Sequence, residues 1–356
     1  MRRWILGGLL AVGVVVVIEL LSLAVWHFAV PDSGKSKVLG LAGRALPHKV
    51  PNSFWHHGLN SEHPLYRGIV NSQGTKGDDF PTAKPPGELR IVCLGNSTVE
   101  GIEQPPEQTF PGILERRLQT AIDEIPNFTS VHVINAGIGS HNSAFNLAYF
   151  AFRLIHFDPD ILILKSSYND FLPYCIPGMT VDYTHAFPKP FHAHKPGVLW
   201  RLVGGSHLLK NVSALLLASR LVDPFEDFSG YLTDEQFLEM DYSENESQFF
   251  VYGENIRSII LLCRGRGIVP VVLDLPTSPE DDHYGTERGV GFRDLIRRLE
   301  NELERITQEE SVRYVVTGPL AAEDFWDHCH NTPGGNDKIA AQVESAVLDV
   351  VGRNRN

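Results

Sequence analysis

From Leu89 to Val351, short apolar runs alternate with stretches of helical periodicity, and this alternation is what most limits the folds open to the chain. Residues 90–94 read as a strand. Phe110, Ile113, Leu114, Leu118 and Ile122 then mark one face of a helix, with Thr109 and Pro111 placed to start it. Residues 131–135 read as a second strand, 143–156 as a helix, and 161–165 as a buried strand introduced by the Asp-Pro-Asp turn at 158–160. A helix over 256–264, a strand over 268–273, a charged helix over 292–306, a strand over 312–316 and a closing helix over 337–351 complete the pattern. Such an order predicts an α/β domain, a parallel sheet covered by helices on both faces. Its active site is expected at the carboxyl ends of the strands.

Ahead of this domain, residues 4–30 are almost wholly apolar, and only Glu19 is charged. About 20 residues suffice to cross a bilayer core. The stretch exceeds a signal-peptide core and no small-x-small cleavage site comes after it, so residues 1–30 are read as an uncleaved transmembrane anchor. The domain is then expected on the extracytoplasmic side, although Lys35, Lys37, Arg44 and Lys49 after the span weaken the charge asymmetry. Glu19 either faces a partner helix or is a tolerated charge. Residues 31–88 read as a tether and irregular lead-in, and 89–351 as the domain itself. An insertion at about 171–250, rich in Pro, His and aromatic residues and then apolar from 208 to 221, reads as a lid or substrate wall, or else as a packing subdomain.

Composition sets further bounds. With 31 Lys+Arg against 43 Asp+Glu, a net charge of −12 and no long basic run, the chain lacks the electrostatic footprint of a nucleic-acid binder. Cys93, Cys175, Cys263 and Cys329 are widely spaced, which suits buried thiols better than a disulfide framework.

Four segments carry the chemistry. In Gly95-Asn96-Ser97-Thr98, Gly95 permits a tight turn and Ser97 stands where a strand passes into a helix, or else the Ser-Thr pair caps that helix. In Gly137-Ile138-Gly139-Ser140, the glycines free backbone N–H groups to act as oxyanion donors, with a plain turn as the alternative. In Ser167-Tyr168-Asn169-Asp170, the Asn169 amide is a neutral directional donor, and Asp170 is placed to cap the segment after it. In Asp327-His328-Cys329-His330, a carboxylate three residues from a histidine can fix its tautomer for general-base work. A metal site is the rival there, but four adjacent ligands cannot all reach one ion, and the loose His185, His192 and His194 group is its only companion. No metal or cofactor is therefore expected.

The order and spacing of these segments resemble the SGNH hydrolase family, a branch of the GDSL-like esterases and lipases, over roughly residues 89–351. The lead-in from Arg67-Gly68 to Asp79 is similar to the stretch that precedes the domain in bacterial members. The resemblance implies a doubly wound, flavodoxin-like sheet. It also implies Ser97 as nucleophile, Asp327 and His330 as orienter and base, and an oxyanion hole from Ser97, Gly139 or its neighbour, and Asn169. The chain departs from the family pattern at Asn96 for the usual Asp, at Ser140 where many members place the oxyanion glycine, and at Ser167 for glycine.

The implied activity is a serine-dependent ester hydrolase acting on an acyl or acetyl ester of a lipid or glycan, losing activity as His330 protonates. An O-acyltransferase acting on an envelope polysaccharide would use the same triad. A noncatalytic membrane-tethered scaffold would keep the fold without turnover.

Overall fold

The computed structural model describes residues 2–30, 49–186, 202–218, 249–279 and 285–353, with single positions 53, 103, 167, 177, 184 and 204 excepted. Tether residues 31–48, Ser167, His192, His194, and residues 187–201 and 219–248 of the expected insertion lie outside the described residues. The chain divides into two compact units, one from residues 1–48 and 192–233 and the other from residues 49–191 and 234–356.

The first unit holds two described helices, α1 (Arg2–Phe28) and α6 (His207–Ala218). Within α1, Leu10–Phe28 is long and apolar enough to cross a membrane.

The second unit begins at Lys49, ahead of the boundary expected near Leu89. Part of the lead-in expected to be irregular is an antiparallel hairpin, β1 (Lys49–Asn52) and β2 (His56–Leu59). Strands of four residues are too short for a period-two pattern to stand out, and these are rich in His, Lys and Pro.

The main sheet has five parallel strands: β3 (Glu88–Gly95), β4 (Ser130–Gly137), β5 (Ile161–Lys165), β6 (Val269–Leu273) and β7 (Arg313–Val315). Their order, β4-β3-β5-β6-β7, is the doubly wound arrangement expected from the alternation. The helices are α2 (Ser97–Glu100), α3 (Phe110–Thr120), α4 (Ser143–Phe152), α5 (Phe171–Cys175), α7 (Phe250–Gly265), α8 (Gly285–Glu309) and α9 (Pro333–Arg353). The Thr109 hydroxyl accepts from Gly112 N–H and starts α3, as its sequence suggests.

Alternate residues of β3 serve opposite cores, as the two-residue period of a strand requires. Leu89, Ile91 and Cys93 pack with Phe110, Leu114 and Leu118 of α3 and Ile339, Val343 and Val347 of α9. Val92 and Leu94 pack with Tyr149 and Phe150 of α4, Ile256 and Ile260 of α7, and Leu299 and Leu303 of α8. Cys93, Cys263 and Cys329 are buried and form no disulfide among the described residues.

Register then places the loops. Gly95 pairs with Gly137 on one side and with Lys165 on the other, so three strands end at one level. The chain winds from β3 outward to β4 and returns to β5, so the order reverses at β3, the strand that leads to Ser97.

Gly95 is not a left-handed turn residue. A Cβ there would lie 2.2 Å from the Lys165 carbonyl oxygen and 2.3 Å from Val99 Cγ2. Glycine is required because β5 and α2 close onto it, a different reason from the tight turn expected. Gly95→Ala should destabilise the detergent-solubilised chain by about 1–3 kcal/mol, read as a lowered thermal midpoint.

Candidate active site

Ser97 opens α2 immediately after β3. The Asn96 side chain accepts from Thr98 N–H at 3.1 Å and caps that short helix. Asn96 thus caps α2 as a neutral acceptor.

The Asp327–His330 turn reaches the same place from the loop after β7. Trp326 N–H donates to the His330 carbonyl at 2.7 Å, and Phe325 bridges Asn331, which closes the turn. Asp327 Oδ1 accepts from the backbone N–H groups of Cys329 at 2.9 Å and His330 at 2.8 Å. Its other oxygen lies 2.6 Å from His330 Nδ1, and His330 Nε2 lies 2.8 Å from Ser97 Oγ. Burial pushes the Asp327 carboxyl up, but the His330 ring bond, the two backbone bonds and the charge of His330 outweigh it and hold it well below the usual carboxylate range. An ionised Asp327 fixes hydrogen on His330 Nδ1 and leaves Nε2 as the acceptor facing the serine hydroxyl.

Below the turn, the fully buried Lys165 reaches Asn331 Oδ1 at 3.3 Å, and Gln104 donates to the Asn331 carbonyl at 2.7 Å. Burial pulls the Lys165 ammonium down to about 8, against the opposing charge of Asp274. These contacts anchor the residue next to His330 to β5 and to the segment after α2.

The loop after β4 is held on both faces of one peptide. Gly139 N–H donates to Glu100 Oε2 at 2.6 Å, while its carbonyl accepts from Lys49 Nζ at 2.8 Å and His57 Nε2 at 2.9 Å. Burial depresses the His57 pKa strongly, so the ring is neutral and carries its hydrogen on Nε2. Glu100 is fully buried and also accepts from Tyr66 Oη at 2.8 Å. Burial raises its pKa, against the Tyr66 and Gly139 bonds and the charges of Lys76 and Lys49. Burial likewise lowers Lys49 to about 8, with Glu100 opposing.

The Gly139 N–H expected as an oxyanion donor is therefore already engaged by Glu100. Gly139 nevertheless adjoins the serine, since a Cβ on it would lie 3.8 Å from Ser97 Cβ. The left-handed backbone falls one residue later, at Ser140, with φ of 68°. Sequence reasoning assigns no role at the site to Glu100, Lys49, His57 or Tyr66. Their partners lie far along the chain, where no local pattern reveals them.

The segment after β5 braces the same loop. Asn169 Nδ2 donates to the His141 carbonyl at 2.9 Å. Asp170 does not cap the helix after it; its carboxylate accepts from Ser143 N–H at 2.9 Å, from Ser143 Oγ at 2.5 Å and from Tyr183 Oη at 2.9 Å. Asp170 therefore caps α4 across the sheet edge.

A cleft of about 550 Å³ opens over Ser97 and His330, with Ile102, Gln104 and Trp326 in its lining. Trp326 is 65% exposed. Asp327, His328 and Cys329 offer donor atoms within 4.8 Å of one another, but Asp327 is committed to His330. His185 is held by Thr180 N–H and the Pro173 carbonyl.

No family model and no curated protein matches the chain. Among solved structures, it is similar to a GDSL-like lipase from Bacteroides thetaiotaomicron, at 14% identity and a TM-score of 0.39 over 74% of this chain and 89% of that one. It is also similar to the psychrotrophic esterase EstA of a Pseudoalteromonas species, at 10% identity and a TM-score of 0.42 over 74% and 99%. A third similar structure is a GDSL-like lipase of Parabacteroides merdae, described as putative, at 12% identity and a TM-score of 0.44 over 75% and 100%.

Burial raises the Asp170 pKa from 3.8 to about 7, against its bonds from Ser143 and Tyr183. In the interval between those values the folded chain holds a proton that the unfolded chain has lost, so this group makes stability fall as pH rises from about 3.8 to about 7. Asp170→Asn should lower stability overall and flatten that slope, as measured by urea unfolding across the interval.

Proposed function

We propose that the chain is a serine-dependent ester hydrolase with Ser97 as nucleophile, His330 as general base and Asp327 as its orienter. The observation that carries this reading is the continuous line of hydrogen bonds from Ser97 Oγ through His330 to Asp327, at 2.8 and 2.6 Å.

In the first step His330 Nε2 takes the hydroxyl proton as Ser97 Oγ bonds to the ester carbonyl carbon. The carbonyl oxygen becomes an oxyanion, and three donors are assigned to it. Ser97 N–H and Ser140 N–H have no acceptor among the described residues, and Asn169 Nδ2 has a second hydrogen beside the one given to His141. Ser140 replaces Gly139 in this role because Glu100 holds the Gly139 N–H. His330 then passes its proton to the leaving alcohol as the C–O bond breaks, which leaves an acyl group on Ser97. Water, deprotonated by His330, releases the acid. These steps use no metal or organic cofactor.

The substrate assigned to the cleft is an acyl or acetyl ester of a lipid or glycan. Ile102 offers an apolar wall beside Ser97, and the exposed ring of Trp326 offers a stacking surface at the rim. Helix α1 is assigned as an uncleaved anchor, with Arg2 and Arg3 at its cytoplasmic end and the hydrolase unit on the extracytoplasmic side.

A fluorophosphonate probe should label the full chain in detergent, and Ser97→Ala and His330→Ala should abolish labelling while the thermal midpoint is kept. Asp327→Asn should slow ester turnover by about 10³–10⁴-fold through loss of the productive tautomer. Absence of labelling in folded wild type would overturn the assignment. Asn169→Ala should lower kcat by about 10²-fold, with a smaller change in KM, in a p-nitrophenyl acetate assay.

A further inference from the structure

Helix α6 is built inside out. Polar side chains face α1, and the large apolar ones named below face away. Lys210 is only 7% exposed, and its ammonium lies 5.3 Å from the centroid of the Trp26 ring. Asn211 Nδ2 donates to the Ser22 carbonyl at 2.9 Å. Ser206 Oγ donates to Glu19, and His207 N–H donates to the same carboxylate at 2.8 Å. Meanwhile Leu208, Leu209, Val212, Leu215 and Leu216 are exposed, Leu215 by 71%. In water this arrangement exposes the surface that ought to be buried. In lipid it is the expected one, because acyl chains solvate leucine and polar groups must find partners between helices.

The contacts also fix direction and depth. Glu19 meets residues 206 and 207, Ser22 meets Asn211, and Trp26 clusters with Ala214. The two helices therefore run the same way. Val203 shares the cluster with Trp26 and Ala214 and lies one turn before α6, its carbonyl accepting from Ser206 N–H at 3.2 Å. At 1.5 Å per residue, α6 is about 18 Å long and the rise from Glu19 to Phe28, the end of α1, is about 14 Å, roughly half of a bilayer core of about 30 Å.

We propose that α6 is embedded in the membrane, in the same leaflet as the second half of α1, with the acyl chains of the bilayer as its partner. Glu19 is then the device that holds it, since its carboxylate satisfies the first N–H of α6 and lies at the positive end of the helix dipole. The inserted segment, which leaves the hydrolase unit after α5 and returns before α7, thereby ties that unit to the membrane at a second point in its sequence. The proposal rests on the reading of α1 as a membrane span and not on the hydrolase assignment.

The test is photo-crosslinking of the full chain, reconstituted in phosphatidylcholine vesicles that carry a diazirine on the acyl chain, with the modified peptides mapped by mass spectrometry. Adducts on peptides from both 10–28 and 202–218 are expected. Adducts confined to 10–28 would overturn the placement of α6 and leave the anchor standing, and adducts on neither would remove both. Glu19→Leu should reduce the adducts on 208–216 severalfold while those on 10–18 persist, and Glu19→Gln should restore much of the loss. Equal adduct yields in Glu19→Leu and wild type would overturn the role of Glu19. Fluorophosphonate labelling of Ser97 in the same vesicles reports independently on the hydrolase reading.

Discussion

The site depends on how closely three strand ends and one short helix pack at the carboxyl edge of the sheet. Gly95, Gly137 and Lys165 stand in register, and a side chain on Gly137 would meet Glu100 N at 2.1 Å. The first turn of α2 therefore rests directly on β4. Ser97, which opens it, cannot shift without moving the backbone of two strands, and close-packed interiors resist such movement. Positional precision of this kind is what a hydrogen-bonded serine needs, because small displacements of a reacting atom are costly in rate.

Electrostatics completes what packing begins. Glu100, Lys49 and His57 are all buried around one peptide, Gly139. Buried ions are stable only when paired and hydrogen-bonded, and here an anion on the N–H side and a cation on the C=O side of the same peptide meet that condition. The orientation of the Gly139 peptide is thereby set, and with it the position of the next N–H, that of Ser140. The hairpin of β1 and β2 supplies Lys49 and His57, so a segment far from Ser97 in sequence takes part in shaping the loop after β4.

Much of this is legible from residues alone, for identifiable reasons. The strands of the main sheet are largely buried apolar runs, and strand–helix alternation leaves little freedom in topology. Asp327 and His330 are three residues apart, so their contact is local and readable. The hairpin escapes such a reading because its strands are short and polar, and Asp170 points to the wrong helix because its partner Ser143 lies on another segment. Gly95 is recognisable as necessary but for a conformational reason, whereas the neighbours that demand it, Lys165 and Val99, become visible only once strands pair. Local chemistry shows in a sequence; partners across the sheet do not.

Glu19 shows the same limit and the kind of partner that lies beyond it. In the sequence it is one carboxylate in an apolar span, with nothing nearby to pair it. The structure gives it Ser206 and His207 as partners, 187 and 188 residues away. In the unit of the parallel sheet, charges such as Glu100 are buried by apolar side chains turned inward; in the unit of α1 and α6, Lys210 is buried while the leucines turn outward. Both arrangements obey one rule, that polar groups withdrawn from water must meet one another. The reversal between them is a change of solvent, from water around the sheet to hydrocarbon around the paired helices.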